Sequence, residues 1–393
     1  STIPRTAAML SRVETSAYDV GNTGFGGVQL ATSLIQGGAL RNGGFLFSLN
    51  PPDGVLLGSG GRTLGGAQFG AGMSGPLPGK FQFFSVHGQV TRSVATGDRW
   101  RDQVSAEALQ QAEPWLRSRG VPSVDALLPS RTSLAVITRL DRLRPAGWSL
   151  TFQSIANLSR VDALVAGAQR LPSTGQEVSS GSWSGVLDAA GPIGAWMGRS
   201  KLAVVHQGLS LAPETAYPAV LLRLPLSTGS EAGVAGGGLG AVSDSRTSSV
   251  HLQQCFERFA GDQNQHRVKV IGEIFAGRAV SEATLDAQGQ YTLWTPSDTS
   301  GLILASYARA LGETRGRADL VRWAVGIGDA WRPSSRLRIE GGIRLDGAQL
   351  RGLDDAGTLD AFPSRQAVVA GPRLGVEWGF GRASARIGDL SGG

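Results

Sequence analysis

Hydrophobic and polar positions alternate over much of this chain. From Arg336 to Asp346 the odd positions read Leu337, Ile339, Gly341, Ile343 and Leu345. The even positions read Arg336, Arg338, Glu340, Gly342, Arg344 and Asp346. Successive side chains of a strand point to opposite faces, so one face is apolar and the other charged. Leu374, Val376, Trp378 and Phe380 share a face in the same way. Val268, Val270, Gly272 and Ile274 oppose Arg267, Lys269 and Glu273, and Leu134, Val136, Thr138 and Leu140 oppose Ala135, Ile137, Arg139 and Asp141.

A soluble antiparallel sandwich also alternates apolar-in and polar-out. Two features favour a membrane-spanning barrel instead. The alternating segments run to about ten residues, the length of a tilted transmembrane strand, against roughly 5–6 for an ordinary one. Short connections (Gly75 to Gly79, Arg144 to Gly147, Gly261 to Gln265, Arg332 to Ser335) alternate with long ones (Ser93 to Arg131, Ser159 to Val178, Thr228 to Thr247, Gly347 to Gln366). Short turns on one side and long loops on the other are the habit of outer-membrane barrels. Trp148 and Trp331 fall beside short turns, where an aromatic girdle belongs. Within the loops, Ala106, Leu109, Ala112 and Leu116 predict an amphipathic helix over Ser105 to Arg119 that buries Leu109 and Leu116 locally. Thr228 to Gly240 is Gly-rich and without period.

Composition narrows the choice. The 393 residues hold 57 Gly, and charged residues make up 17% against about 25% in ordinary soluble domains. No apolar run approaches the ~18–20 residues of a spanning helix. Basic residues exceed acidic ones by only 37 to 31 and are scattered, so no nucleic-acid surface is expected. The single Cys255 excludes an internal disulfide framework. His87, His206, His251 and His266 lack metal-ligand spacing, and no cofactor is expected. Gly70 to Gly75 matches GxGxxG, but Pro76-Leu77-Pro78-Gly79 follows, where a dinucleotide site needs a helix. No nucleophile elbow is present, so no catalytic residues are assigned.

Several segments resemble TonB-dependent outer-membrane transporters of the Oar-like branch, which often carry a carboxypeptidase-regulatory-like domain. Phe25-Gly26-Gly27-Val28 with Ala31-Thr32-Ser33 looks like the last strand of that family's plug. Phe69-Gly70 to Gly75-Pro76 with Lys80 to Phe84 is similar to an early barrel hairpin. Arg139-Leu140-Asp141 with Trp148-Ser149-Leu150 resembles the next, with Trp148 where His is commoner. His266 to Lys269 with Gly272-Glu273, Asp329 to Arg332 leading into Arg336 to Asp346, and Pro372 to Gly375 with Trp378 continue the likeness in order.

The resemblance implies an all-β chain: an incomplete antiparallel up-and-down transmembrane β-barrel of about 13–15 strands, judged by the barrel-strand signature. Residues 1–40 would be the end of a plug domain and 41–393 a partial barrel. The chain would be a fragment of a larger plugged barrel, unable to close on itself. The implied function is uptake of a bulky ligand across the bacterial outer membrane, without enzymatic chemistry. Its partners would be outer-membrane lipid and a TonB complex engaged through a segment outside this chain. Lumen-facing candidates for ligand contact are Arg139, Asp141, Arg336, Arg338, Glu340 and Arg344. A surface-binding or adhesion barrel, and a soluble secreted β-sandwich, are the competing readings.

Overall fold

A computed structural model of the chain describes residues 4–7, 9–14, 29–50, 64–79, 81–95, 104–121, 130–144, 146–164, 170–238, 242–261, 263, 265–284, 289–295, 302–309, 313–354, 365–380 and 383–388. Phe25 to Val28, Lys80 and the last five residues lie outside them. Strands β1 (Met9–Glu14) and β2 (Gln29–Leu34) pair with each other. They are followed by β3 (Asn42–Asn50), β4 (Leu64–Pro76), β5 (Gln82–Ala95), helix α1 (Ala106–Ser118), β6 (Ser130–Leu143) and β7 (Ser149–Leu164). Next come β8 (Gln176–Ile193), β9 (Trp196–Pro213), β10 (Ala219–Pro225), β11 (Glu231–Gly236), β12 (Val242–Ala260) and β13 (His266–Thr284). The chain continues through β14 (Gln290–Trp294), β15 (Ile303–Ala308), β16 (Thr314–Trp331), β17 (Leu337–Asp354), β18 (Arg365–Phe380) and β19 (Ala383–Gly388).

Thirteen strands form one antiparallel sheet in the order β19-β18-β17-β16-β13-β12-β9-β8-β7-β6-β5-β4-β3. Each is hydrogen-bonded to its neighbour along the chain, apart from two places where a pair of strands leaves the sheet. Among the described residues the end strands β3 and β19 do not pair with one another. The alternation sets the faces. Phe45, Phe69, Leu134, Leu252, Ile327 and Leu374 stand exposed on one face, while Ala135, Ile137, Asp141, Ile271, Ala324 and Arg344 are buried on the other. The buried, inner face also carries the N-terminal segment. The Arg5 backbone N–H donates to Gln89 Oε1 at 2.9 Å, and Thr6 Oγ1 meets His87 Nδ1 at 3.4 Å. A Cβ at Gly72 would fall 2.1 Å from His87 Nδ1, so only glycine leaves room for that imidazole.

Two expectations need correction. The strands exceed ten residues: β12 and β13 have 19 each, and β8, β9, β16 and β17 have 18. Apolar alternation marks only the middle of each strand, whereas main-chain pairing continues beyond it, where the outward side chains become polar. Strand β17 therefore runs to Asp354, through the first eight residues of the segment expected as the loop Gly347 to Gln366. The Thr228 to Thr247 segment is likewise no simple loop, for it contains β11 and the start of β12. Gly70 to Gly75 lies within β4, and no helix follows it.

The displaced strands make a second unit. Strands β11, β10, β14 and β15 form a four-stranded sheet in which β10 and β14 run parallel. Its members come from the β9–β12 and β13–β16 connections, and α1, from the β5–β6 connection, packs on β10 and β11. Antiparallel succession puts these connections at one end of the large sheet. The structure thus gathers the long connections into one cap with its own core of Ala108, Ala112, Leu116, Leu171, Leu222 and Val234.

Candidate functional site

The inner face carries most of the charge that the pattern assigned to it. Arg139 and Asp141 lie two residues apart on β6 and so share a face. Arg139 donates through Nε and Nη2 to the Asp141 carboxylate at 2.8–3.0 Å, and Thr151 Oγ1 adds a hydrogen bond at 2.8 Å from β7. Arg139 Nη1 also donates to the carbonyl oxygen of Leu34, at the end of β2. One bidentate ion pair therefore holds the N-terminal strand pair against the sheet. Leu34 itself is fully buried there.

A second cluster spans β12, β13 and β17. Arg344 is 1% exposed, the largest fully buried side chain among the described residues. Its Nε lies 2.9 Å from Asp346 Oδ1, and its Nη2 donates to Glu273 Oε2 at 3.0 Å. Glu273 Oε1 meets His251 Nε2 at 2.9 Å. Burying a guanidinium is tolerable only with such complete pairing, since an unpaired buried charge costs several kcal/mol. Nearer the short turns, Arg338 pairs with Glu340 on its own strand and stands 4.0 Å from Glu377 on β18. Arg336 precedes β17 and is exposed at the turn, apart from these clusters.

The structure thus divides five of the six candidate residues among three clusters along the sheet and leaves Arg336 apart at the turn, rather than gathering them in one pocket. Sequence reasoning missed His251 and Asp346 as members of a network. A signal was available: Arg139-Leu140-Asp141, Arg160-Val161-Asp162, Arg317-Ala318-Asp319, Arg338-Ile339-Glu340 and Arg344-Leu345-Asp346 repeat an Arg-x-acid spacing. On a strand that spacing is a same-face ion pair, and all five pairs form.

Towards the cap, the inner face changes character. A hollow of about 510 Å³ is lined by Ser133, Asn157, Ser159, Ser182, Gln207 and Thr247, with Arg131 at its side. Hydroxyl and amide groups dominate this stretch. In the cap, Ser105 accepts from the Ala108 N–H as the α1 N-cap. The Glu107 carboxylate accepts from Ser227 N at 2.7 Å and Ser227 Oγ at 3.0 Å, tying the helix to the β10–β11 turn. Leu116 is buried as expected, but against β11 and Leu171 rather than within its own loop, and Leu109 is only partly buried. Among the described residues no three His, Cys, Asp or Glu side chains converge as a metal site. No helix among them is long and apolar enough to cross a membrane, which says nothing of crossing by strands.

No protein-family model matches the sequence, and no curated protein matches it. Solved structures do. The outer-membrane transporter YddB from Escherichia coli aligns over 94% of this chain and 45% of its own, at 12% identity and a TM-score of 0.57. The ferripyoverdine receptor of the Pseudomonas aeruginosa outer membrane aligns over 94% and 44%, at 9% identity and 0.54. BauA, the ferric preacinetobactin receptor from Acinetobacter baumannii, aligns over 90% and 47%, at 9% identity and 0.50. The chain spans about 45% of the length of these proteins. At such identities the likeness is one of fold. Thirteen antiparallel strands with an apolar outer face, a charged inner face and long connections at one end share the β-barrel fold of these outer-membrane proteins.

Proposed function

We propose that the chain belongs to a TonB-dependent receptor of the outer membrane that takes up a bulky ligand. The observation that carries this reading is the contact between Arg139 and the Leu34 carbonyl, which lodges the N-terminal strands on the charged inner face. A surface-binding barrel has no need of a segment inside its lumen, whereas a gated transporter does. On this reading residues 1–40 are the end of a plug and 41–393 are barrel, with the Oar-like branch as the family. The outer face of Phe45, Leu134, Leu252 and Leu374 meets hydrocarbon, and main-chain groups are satisfied between strands, as lipid demands.

The paired charges Arg139, Asp141, Arg338, Glu340 and Arg344 then serve as structure of the lumen wall, and Arg336 stands at its short-turn rim. Ligand would enter past the cap and along the polar hollow. Two of the similar structures are a ferric preacinetobactin receptor and a ferripyoverdine receptor, so a metal chelate is one class to test. The mechanism is gated passage: no covalent step is required, and an energy-coupling complex of the TonB type would release the plug.

The test is accumulation of a labelled ligand panel, ferric chelates and oligosaccharides included, in cells making the full-length protein. Uptake that needs both the protein and TonB supports the reading. Surface retention without entry, unaffected by loss of TonB, supports the adhesion barrel.

A further inference from the structure

The outward face of β13, β16 and β17 changes abruptly from apolar to charged. Ile274, Val321 and Trp323 are exposed, and one outward step beyond Val321 lies Asp319. Around Asp319 stand three arginines. Arg278 donates through Nε at 2.7 Å, and Arg317 donates through Nε and Nη2 at 3.1 and 2.8 Å. Arg351 stands directly across from Asp319 in the β16–β17 register and is exposed. Its guanidinium reaches Gln349 at 2.9 Å once that amide is turned to suit its neighbours.

Three other outward arginines on this side of the sheet are balanced. Arg160 has Asp162 and Glu177, Arg246 has Asp244, and Arg315 has Glu282 and Glu313. At Asp319 two guanidiniums share the carboxylate and Arg351 stands across from it in register, which leaves a local charge of +2 (three less one). Guanidinium forks suit phosphate oxygens. Directly beneath them Trp323 lies flat across β17, because Gly347 has no Cβ: one added there would fall 2.3 Å from the indole. The sheet thus offers a flat aromatic shelf below a cationic cluster, at the edge of an apolar belt.

We propose that Arg278, Arg317 and Arg351 bind the phosphate headgroup of a membrane lipid whose acyl chain lies along Val321 and Trp323. The inference rests on the outer-membrane reading and goes beyond it by assigning one lipid site on the barrel exterior. Two apolar rungs fix the chain, and the headgroup reaches the arginines about 7 Å higher, the distance of two strand residues. Asp319 keeps Arg278 and Arg317 close despite their mutual repulsion, and Gln349 holds Arg351 beside them.

The experiment uses the full-length protein in nonionic detergent, with phosphatidic acid as probe and phosphatidylcholine as the lipid lacking a free phosphate. Lipid carried by the protein is counted by native mass spectrometry. Phosphatidic acid should be held at least about tenfold more tightly, the equivalent of one charge-assisted hydrogen bond. Arg278→Ser with Arg317→Ser should abolish that preference. Arg351→Ser, which removes no ion pair seen here, should weaken it several-fold without disturbing the fold. Asp319→Asn should leave it intact or raise it. An undiminished preference in Arg351→Ser and in the double variant would overturn the proposal. So would displacement of the lipid by equimolar inorganic phosphate, because the acyl shelf would then contribute nothing. Insertion into phosphatidylcholine vesicles is measured in parallel: a protein that inserts without headgroup preference sinks this site alone, and one that fails to insert sinks the outer-membrane reading with it.

Discussion

The thirteen-stranded sheet and the loop cap use hydrophobicity in opposite directions. In the cap, Ala108, Leu222 and Val234 have no exposure at all, and partly buried Leu109, Trp115 and Leu293 pack against their cluster. In the sheet, Phe45, Ile343 and Leu374 stand out into the surroundings, while Arg344 and Asp141 are among the buried groups. The cap is therefore held by the removal of apolar surface from water. The sheet is held by its main-chain ladder and by inner ion pairs, and on the proposed reading lipid is the solvent of its outer face. Equivalent substitutions should consequently have opposite effects in the two regions, and that contrast can be tested.

The largest effect is expected at Arg344. Arg344→Met leaves the largely buried Glu273 and the half-exposed Asp346 without their cation and should lower stability by roughly 3–5 kcal/mol. Reversible denaturation in bilayers would read it. A second change, Glu273→Gln, should recover part of the loss, because it removes one of the stranded charges. If Arg344→Met were neutral, the inner face would be far wetter than its burial indicates.

Leu222→Ala should cost the cap roughly 2–5 kcal/mol through the cavity it leaves. Hydrogen exchange should then rise in α1 and β10 while β6 and β7 keep their protection. Equal loosening of both regions would show that the cap is not a separate cooperative unit. Ile343→Arg should do the reverse, lowering the stability of the sheet by roughly 2–4 kcal/mol in bilayers while leaving cap exchange unchanged. Ile343 is 58% exposed, so a soluble sheet would accept that change with little loss. The smallest effect is expected from Ser105→Ala, which deletes the N-cap of α1 and should cost about 1 kcal/mol, confined to the cap.

How much of this was legible beforehand depends on the range of each interaction. The two faces of β6, β13 and β17 follow from alternation alone, which is a property of neighbouring residues. The α1 helix was legible as well, from Ala112 and Leu116 at helical spacing. The pairing of Arg139 with Asp141 could be read in the same way, since residues two apart on a strand share a face. The partner of Arg344 across the sheet could not. Glu273 lies 71 residues away, and only the register of β13, β16 and β17 brings the two together. Arg336 was grouped with the inner charges by parity, but the strand begins one residue later, and parity says nothing about where a strand starts.

The sequence by itself determined which side chains share a face, where the tight turns fall, and that one face of the sheet is apolar. It did so because a strand's two-residue period is imposed on each segment separately. The tertiary structure decided the cap. Glu107 meets Ser227 across 120 residues, and β10 runs parallel to β14 from another connection. Neither β10 nor β11 can bury its apolar face alone; each needs α1 and Leu171, delivered by connections whose strands lie in order around the sheet. The large sheet brings those connections to one end, and their own short apolar runs then find each other there.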